Sequence, residues 1–124
     1  MIVETVVTTI NPDGSVNCGA MGVEWGEERI VIKPYRGTRT LRNLQDTGTA
    51  VVNLTDDILL FSRAALGDPH PPTRPATHIE GAVLDDACSW REVTSSPSAP
   101  ARITISMPPR RNKRRCSGAN VGRV

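Results

Sequence analysis

At 124 residues the chain is one small domain, large enough for a core of its own yet of a size at which burial against a partner helps. With one Phe, one Tyr and two Trp, its core must be built from Val, Ile, Leu and Ala, and it offers few rings on which a flat cofactor or a base could stack. The net charge of +2 conceals a split: residues 1–107 hold nine Lys or Arg against thirteen Asp or Glu, whereas residues 108–124 hold six basic residues and no acidic one. Nucleic-acid binding would therefore rest on the tail alone.

Ile2 to Ile10 is rich in Val, Ile and Thr, and Asn11-Pro12-Asp13-Gly14 is a strong turn, so a hairpin is expected between this strand and a second one around Val16 to Val23. Glycines within the second strand, in Asn17-Cys18-Gly19-Ala20-Met21-Gly22, mark either a bulge at a barrel corner or a close approach by a ligand or another backbone. A third strand is expected over Arg29 to Tyr35, and Pro34 and Gly37 bracket a turn after it. Lys33, Arg36, Thr38, Arg39 and Thr40 crowd into this loop and the first turn of the helix that follows, roughly Leu41 to Thr47, which Gly48 ends. Cations, hydroxyls and unpaired amides at the positive end of a helix dipole suit a phosphomonoester.

A fourth strand begins at Ala50-Val51-Val52. Thr55-Asp56-Asp57 then reads as the cap of a helix from about Ile58 to Leu66, stopped by Gly67, so these carboxylates need no catalytic explanation. Asp68 to Ala76, with four prolines, is expected to be an irregular loop. His70 and His78 flank it without acidic or cysteine partners at ligand spacing, which makes them loop residues or substrate-side contacts rather than metal ligands. A fifth strand, broken by Asp85-Asp86, is read from His78 to Val93, then a loop from Ser95 to Pro100, and a sixth strand over Arg102 to Met107 would close a small barrel.

Cys18, Cys88 and Cys116 lack metal-ligand spacing and are read as reduced thiols, with no metal site. No apolar run approaches the ~20 residues that cross a bilayer, and no basic-then-apolar leader opens the chain, so the cytoplasm is the expected compartment and no membrane partner is expected. Residues 108–124 share no pattern with the rest. They read as the product of a shifted reading frame or as a disordered basic tail, appended to a domain of residues 1–107.

The run from Lys33 through Thr38, Thr40, Asn43-Leu44, Thr47-Gly48 and Val51-Val52-Asn53 resembles the phosphate-side motif of the flavin-reductase-like FMN-binding split barrels. Glu4-Thr5-Val6-Val7-Thr8-Thr9-Ile10-Asn11-Pro12-Asp13-Gly14 and the block from Asn53 to Phe61 resemble an uncharacterised archaeal and bacterial family within that superfamily, with the likeness running from about Ile2 to Ile103. The resemblance implies a mainly β fold with short helices, a six-stranded antiparallel split β-barrel, and FMN as cofactor. Its phosphate would be held by Lys33, Arg36, Thr38, Arg39 and Thr40, with Asn43, and its ring would lie against Ala20, Met21 and Gly22. It further implies a homodimer with the flavin near the subunit interface, where some of Val51, Val52, Leu54, Ile58 and Phe61 would pack across the two-fold axis.

Three functions follow from these readings. The first is a flavin-dependent oxidoreductase in which the cofactor moves the hydride, with no Ser, Cys or His placed as a nucleophile or base, so that no catalytic residue is named. The second is a protein that holds flavin or another phosphorylated ligand without turnover. The third, least favoured, is nucleic-acid binding through Arg110 to Arg115.

Overall fold

The computed structural model of the chain describes residues 2–26, 29–56, 71–96, 99–105 and 110–111. The opening hairpin forms as expected: β1 (Ile2–Ile10) pairs antiparallel with β2 (Val16–Trp25) along its whole length. The turn between them is closed by Asn11 N–H on Ser15 O at 2.8 Å, with Asp13 Oδ1 accepting from the Ser15 amide. Then come β3 (Arg29–Val31), α1 (Arg39–Thr47) and β4 (Thr49–Leu54). The later strands are β5 (Thr73–Pro75), β6 (Ala82–Leu84), β7 (Ser89–Ser96), β8 (Ala99–Ile105) and β9 (Arg110–Arg111).

The principal sheet runs β4-β1-β2-β3-β8-β7, and β7 pairs back onto β4 from Thr49↔Thr94 to Leu54↔Ser89. Six strands therefore close on themselves, the antiparallel barrel that the sequence suggests. Two apolar clusters occupy the two sides of its wall. Inside lie Val7, Val23, Trp25, Ile30, Val52, Leu54 and Val93, with Leu44 of α1 closing one end. Outside, Val6, Cys18, Val51 and Trp90 are covered by Val83, Leu84 and Ala87 of the β5–β6 hairpin and the turn after it. Because β1 and β4 are covered on both faces, they read as nearly unbroken buried runs rather than alternating ones.

Asn53, Arg91 and Glu92 pair polar groups buried in this wall, whereas the Trp25 and Trp90 indole N–H groups have no hydrogen-bond acceptor among the described residues. Asn53, fully buried, donates through Nδ2 to Val6 O at 2.9 Å and to Thr8 Oγ1 at 3.1 Å, while its Oδ1 accepts the Leu84 amide at 3.0 Å. One side chain thus joins β4, β1 and β6. On β7, Arg91 shares the parity of the inward-facing Val93. It is 3% exposed, lies over the Trp25 ring at 4.6 Å and donates to Gly26 O at 2.7 Å. Its neighbour Glu92 faces outward and accepts the amides of Thr77, His78 and Ile79, fastening that loop to the barrel.

Several expectations change. The third strand stops at Val31, because Lys33 to Tyr35 enters the loop around Pro34, which has no amide to give a ladder. The stretch expected to be irregular contains β5, whose Pro75 is tolerated at the end of a short strand paired only with β6. What reads as one broken strand from His78 to Val93 is two strands with different partners, separated by a turn at Asp85-Asp86. The expected loop after Ser95 is mostly strand, since β7 reaches Ser96 and β8 starts at Ala99. Val51, Val52 and Leu54 pack in the chain's own two cores. Cys18 is free, whereas Cys88 is disulfide-bonded, contrary to the expectation of reduced thiols. The expected helix over residues 58–66 lies outside the described residues, and so do His70 and most of the basic tail, of which Arg110–Arg111 pairs with Trp90 and Ser89.

Candidate functional site

Helix α1 is framed by its caps. Thr38, in extended conformation, accepts the Leu41 amide on Oγ1 at 3.3 Å, and Gly48 adopts the left-handed conformation at φ 70° while its amide returns to Leu44 O at 2.9 Å. The helix begins at Arg39, two residues before the expected start, because Thr38 rather than Thr40 caps it. The same Thr38 fixes the loop, donating from Oγ1 to Tyr35 O at 2.7 Å and from its amide to the same oxygen at 3.3 Å. With that loop held, the first amides of α1 have no partner within the helix and sit beside the exposed Lys33 and Arg39.

The helix start is docked on β2. Thr40 is 4% exposed, and its Oγ1 accepts from Asn17 Nδ2 at 3.0 Å. A Cβ on Gly19 would lie 2.8 Å from that oxygen, so Gly19 is the close approach that a glycine within a strand suggests. β2 also carries an unusual edge. Gly26 N–H donates to Arg29 O and Ser15 O accepts from Asn11, so even-numbered residues of β2 turn their backbone groups toward β3 and odd ones toward β1. Yet β3 reaches only Glu24 and Trp25. The backbone groups of Cys18, Ala20 and Gly22 therefore lie on an edge with no strand beside it among the described residues. Met21 is of the other parity, its carbonyl accepting from Thr5 Oγ1 at 3.0 Å, and it offers the site its side chain.

Between this edge and the loop lies a cavity of about 840 Å³. Asn17 to Gly22 form one wall, and Lys33 to Tyr35 with Thr38 to Thr40 form the other. It unites both halves of the site expected from sequence, the phosphate-side residues Lys33, Thr38, Arg39 and Thr40 and the ring-side residues Ala20, Met21 and Gly22. Arg36 is exposed on the same loop but does not line the cavity. Asn43 is turned elsewhere, its Nδ2 donating to Thr9 Oγ1 at 3.0 Å and to Asn11 Oδ1 at 2.8 Å. Asn17, Cys18, Gly19, Pro34 and Tyr35 also line the cavity although the sequence reading did not name them as site residues, the first three lying within the glycine-marked segment. Asn17 shares the parity of Gly19 and could have been found from it; Tyr35 is 85% exposed at the rim; Cys18 is buried, and that burial pushes its thiol up to about 11, so it is neutral.

An elongated anion with a flat polar head fits these walls. The helix start, its hydroxyls and two cations suit an anionic group, and the backbone groups of Cys18, Ala20 and Gly22, with no strand beside them among the described residues, suit the polar edge of a flat one. Glycine at 22 keeps that wall low: a Cβ there would meet Ile2 Cγ2 at 3.2 Å. Among the described residues no group of three His, Cys, Asp or Glu could hold a metal ion, and no helix is long and apolar enough to cross a membrane.

A barrel of this topology is the fold of the flavin-reductase-like split barrels, and comparison with solved structures bears this out. Flavoredoxin of Desulfovibrio vulgaris (Miyazaki F) superposes with a TM-score of 0.73 at 12% identity, over 90% of this chain and 70% of that one. The FMN-bound protein of Methanosarcina mazei from the DUF447 family gives a TM-score of 0.71 at 18% identity, over 90% of this chain and 61% of that one. The styrene monooxygenase flavin reductase of Pseudomonas putida S12 gives 0.68 at 14% identity, over 90% and 79%. The family of the N-terminal domain of proteins of unknown function DUF447 matches residues 3–113, and the chain belongs to it.

Proposed function

We propose that this chain is an FMN-binding protein. The observation that carries the reading is a cavity in which a capped, cation-flanked helix start faces a strand edge that has no strand beside it among the described residues. Lys33, Arg39 and the Thr38–Thr40 turn would hold the phosphate, with Arg36 adding charge from outside. The edge from Cys18 to Gly22 would orient the ring. Asn43 would serve indirectly by fastening α1 to the opening hairpin. The FMN-bound relative and the flavin reductases of the same fold support this reading.

Bound flavin would supply hydride or electron transfer, and the protein's part is to bind, orient and exclude water. The neutral Cys18 thiol adds no charge beside the ring. Titration of the purified protein with FMN, followed by flavin fluorescence, tests the reading: saturable quenching is expected, and its loss in Lys33→Ala combined with Arg39→Ala. Oxidation of a nicotinamide dinucleotide by the loaded protein separates a flavin-dependent oxidoreductase from a binding protein without turnover.

We further propose a homodimer whose second copy covers the cavity. Tyr35 at the rim and Ile2 beside Gly22 are 85% and 68% exposed, the large hydrophobic side chains left open among the described residues. Light scattering tests it, and a monomer that binds FMN tightly at micromolar concentration overturns the shared site.

A further inference from the structure

Of the β2 residues on the wall of the cavity, Asn17 alone carries a side-chain amide. Its Nδ2 is committed to the protein, donating to Thr40 Oγ1 at 3.0 Å and to Thr9 Oγ1 at 3.3 Å. Thr9 Oγ1 also accepts from Asn43 Nδ2 at 3.0 Å, so the amide is fixed to β1 and α1 together. The other end of the amide is free. Asn17 Oδ1 accepts no hydrogen bond among the described residues, yet Asn17 is only half-buried and this oxygen is not one of the polar atoms sealed from solvent. An acceptor held in place and open on a cavity wall suits a donor carried by the ligand.

The kind of donor follows from the neighbours. Lys33, Arg39 and the start of α1 suit an anion, and a carbonyl oxygen set against a phosphate oxygen would repel it. A flat ring would lie further along β2, against the edge from Ala20 to Gly22. Asn17 stands where the two walls join, through its bond to Thr40. A ligand with its anion at the helix start and its ring at the strand edge carries its linker over that junction. Resting on the reading of this chain as an FMN-binding protein, we propose that Asn17 selects a hydroxylated linker: its side-chain carbonyl accepts an O–H from the chain that joins ring and phosphate, so a flavin phosphate with a polyol linker is preferred to one with a plain alkyl linker. One amide then has two tasks, Nδ2 seating the helix start and Oδ1 reading the ligand.

The full chain and its Asn17→Ala variant are titrated, by flavin fluorescence, with FMN and with an FMN analogue whose linker carries no hydroxyl. Loss of the bond to Thr40 should weaken both flavins in the variant, whereas loss of the carbonyl should weaken FMN alone. The parent chain's preference for FMN over the analogue should therefore narrow by roughly fivefold, corresponding to one hydrogen bond. Equal weakening of both flavins overturns the proposal and leaves Asn17 as a seat for the helix. A second measurement needs no substitution: in the parent chain labelled with nitrogen-15, the Asn17 side-chain amide should shift on saturation with FMN and much less with the analogue, and equal shifts also overturn the proposal. A parent chain that binds both flavins without preference removes this role of Asn17 only, whereas one that binds neither overturns FMN binding itself.

Discussion

Gly19 and Thr40 touch across the junction of β2 and α1: a methyl group on Gly19 would stand 2.8 Å from the Thr40 hydroxyl oxygen and 3.0 Å from Met21 Cε. Thr40 cannot swing aside freely, because Asn17 holds its oxygen at 3.0 Å. Gly19→Ala should therefore cost about 1–3 kcal/mol of stability and push the helix start away from the strand edge, weakening FMN binding. Adding Thr40→Ala should recover part of both losses. Urea denaturation and FMN titration of the single and double variants check this, and losses that merely add would separate the two residues.

Thr38 and Arg39, adjacent in sequence, should come apart by experiment. Thr38→Ala removes the helix cap, so it should lower stability by about 1 kcal/mol as well as FMN affinity. Arg39→Ala touches no buried contact and should lower affinity by about tenfold at nearly constant stability. Thr38→Ser, which keeps the hydroxyl, should behave like the parent chain. An Arg39→Ala protein with full affinity would leave the loop a structural role only.

Glu92 ties the loop at 77–79 to the barrel, and the tie depends on pH. Burial raises its pKa, but the amides of His78, Thr77 and Ile79 together outweigh that and hold it below the ordinary 4.5. A carboxylate depressed in the folded state stabilises fully above its unfolded pKa, and this contribution is lost as pH falls through the folded one. Thermal melts from neutral pH down through the carboxylate range should show the parent chain losing stability that Glu92→Gln lacks throughout, so the two curves converge in acid. Parallel curves would show that the carboxylate charge is not what holds the loop.

Asn53 is the most demanding polar position in the wall. Asn53→Ala should cost about 3 kcal/mol, because it strands the buried Leu84 amide and takes a donor away from Val6 O and Thr8 Oγ1. Asn53→Asp should cost more, since a carboxylate must face the Val6 and Thr8 oxygens. Chemical denaturation of both variants gives the order, and an aspartate variant more stable than the alanine one would contradict this account.

How much of this was legible before the fold was known depends on where the signal is local. Asn11-Pro12-Asp13-Gly14 and Gly48 announce a hairpin and a helix end through backbone chemistry, and both are found where expected. The loop from Lys33 to Thr40 and the segment from Ala20 to Gly22 were each expected from the sequence to face a ligand, but their meeting at one cavity depends on Gly19 admitting Thr40, a tertiary contact. β5 was hidden because its pairing with β6 is all that makes Thr73-Arg74-Pro75 a strand. Nothing local marks Arg91 and Glu92 as buried, because Trp25 and the amides of the 77–79 loop reach them only in the fold.

The pairing of β4 with β7 also governs when the protein can become a barrel. During synthesis the hairpin β1–β2 and the addition of β4 to β1 are available early, yet the free edge of β4 has no partner until Thr94 has been made. In the interval Ala50, Val52 and Leu54, destined for the interior, border an open strand edge, the kind of surface that recruits other chains. Closure over such sequence separation is also intrinsically slow. Yield in the cell should accordingly be governed by how long nascent chains wait with the ring open, and holdase chaperones should raise it more than any gain in the stability of the finished fold.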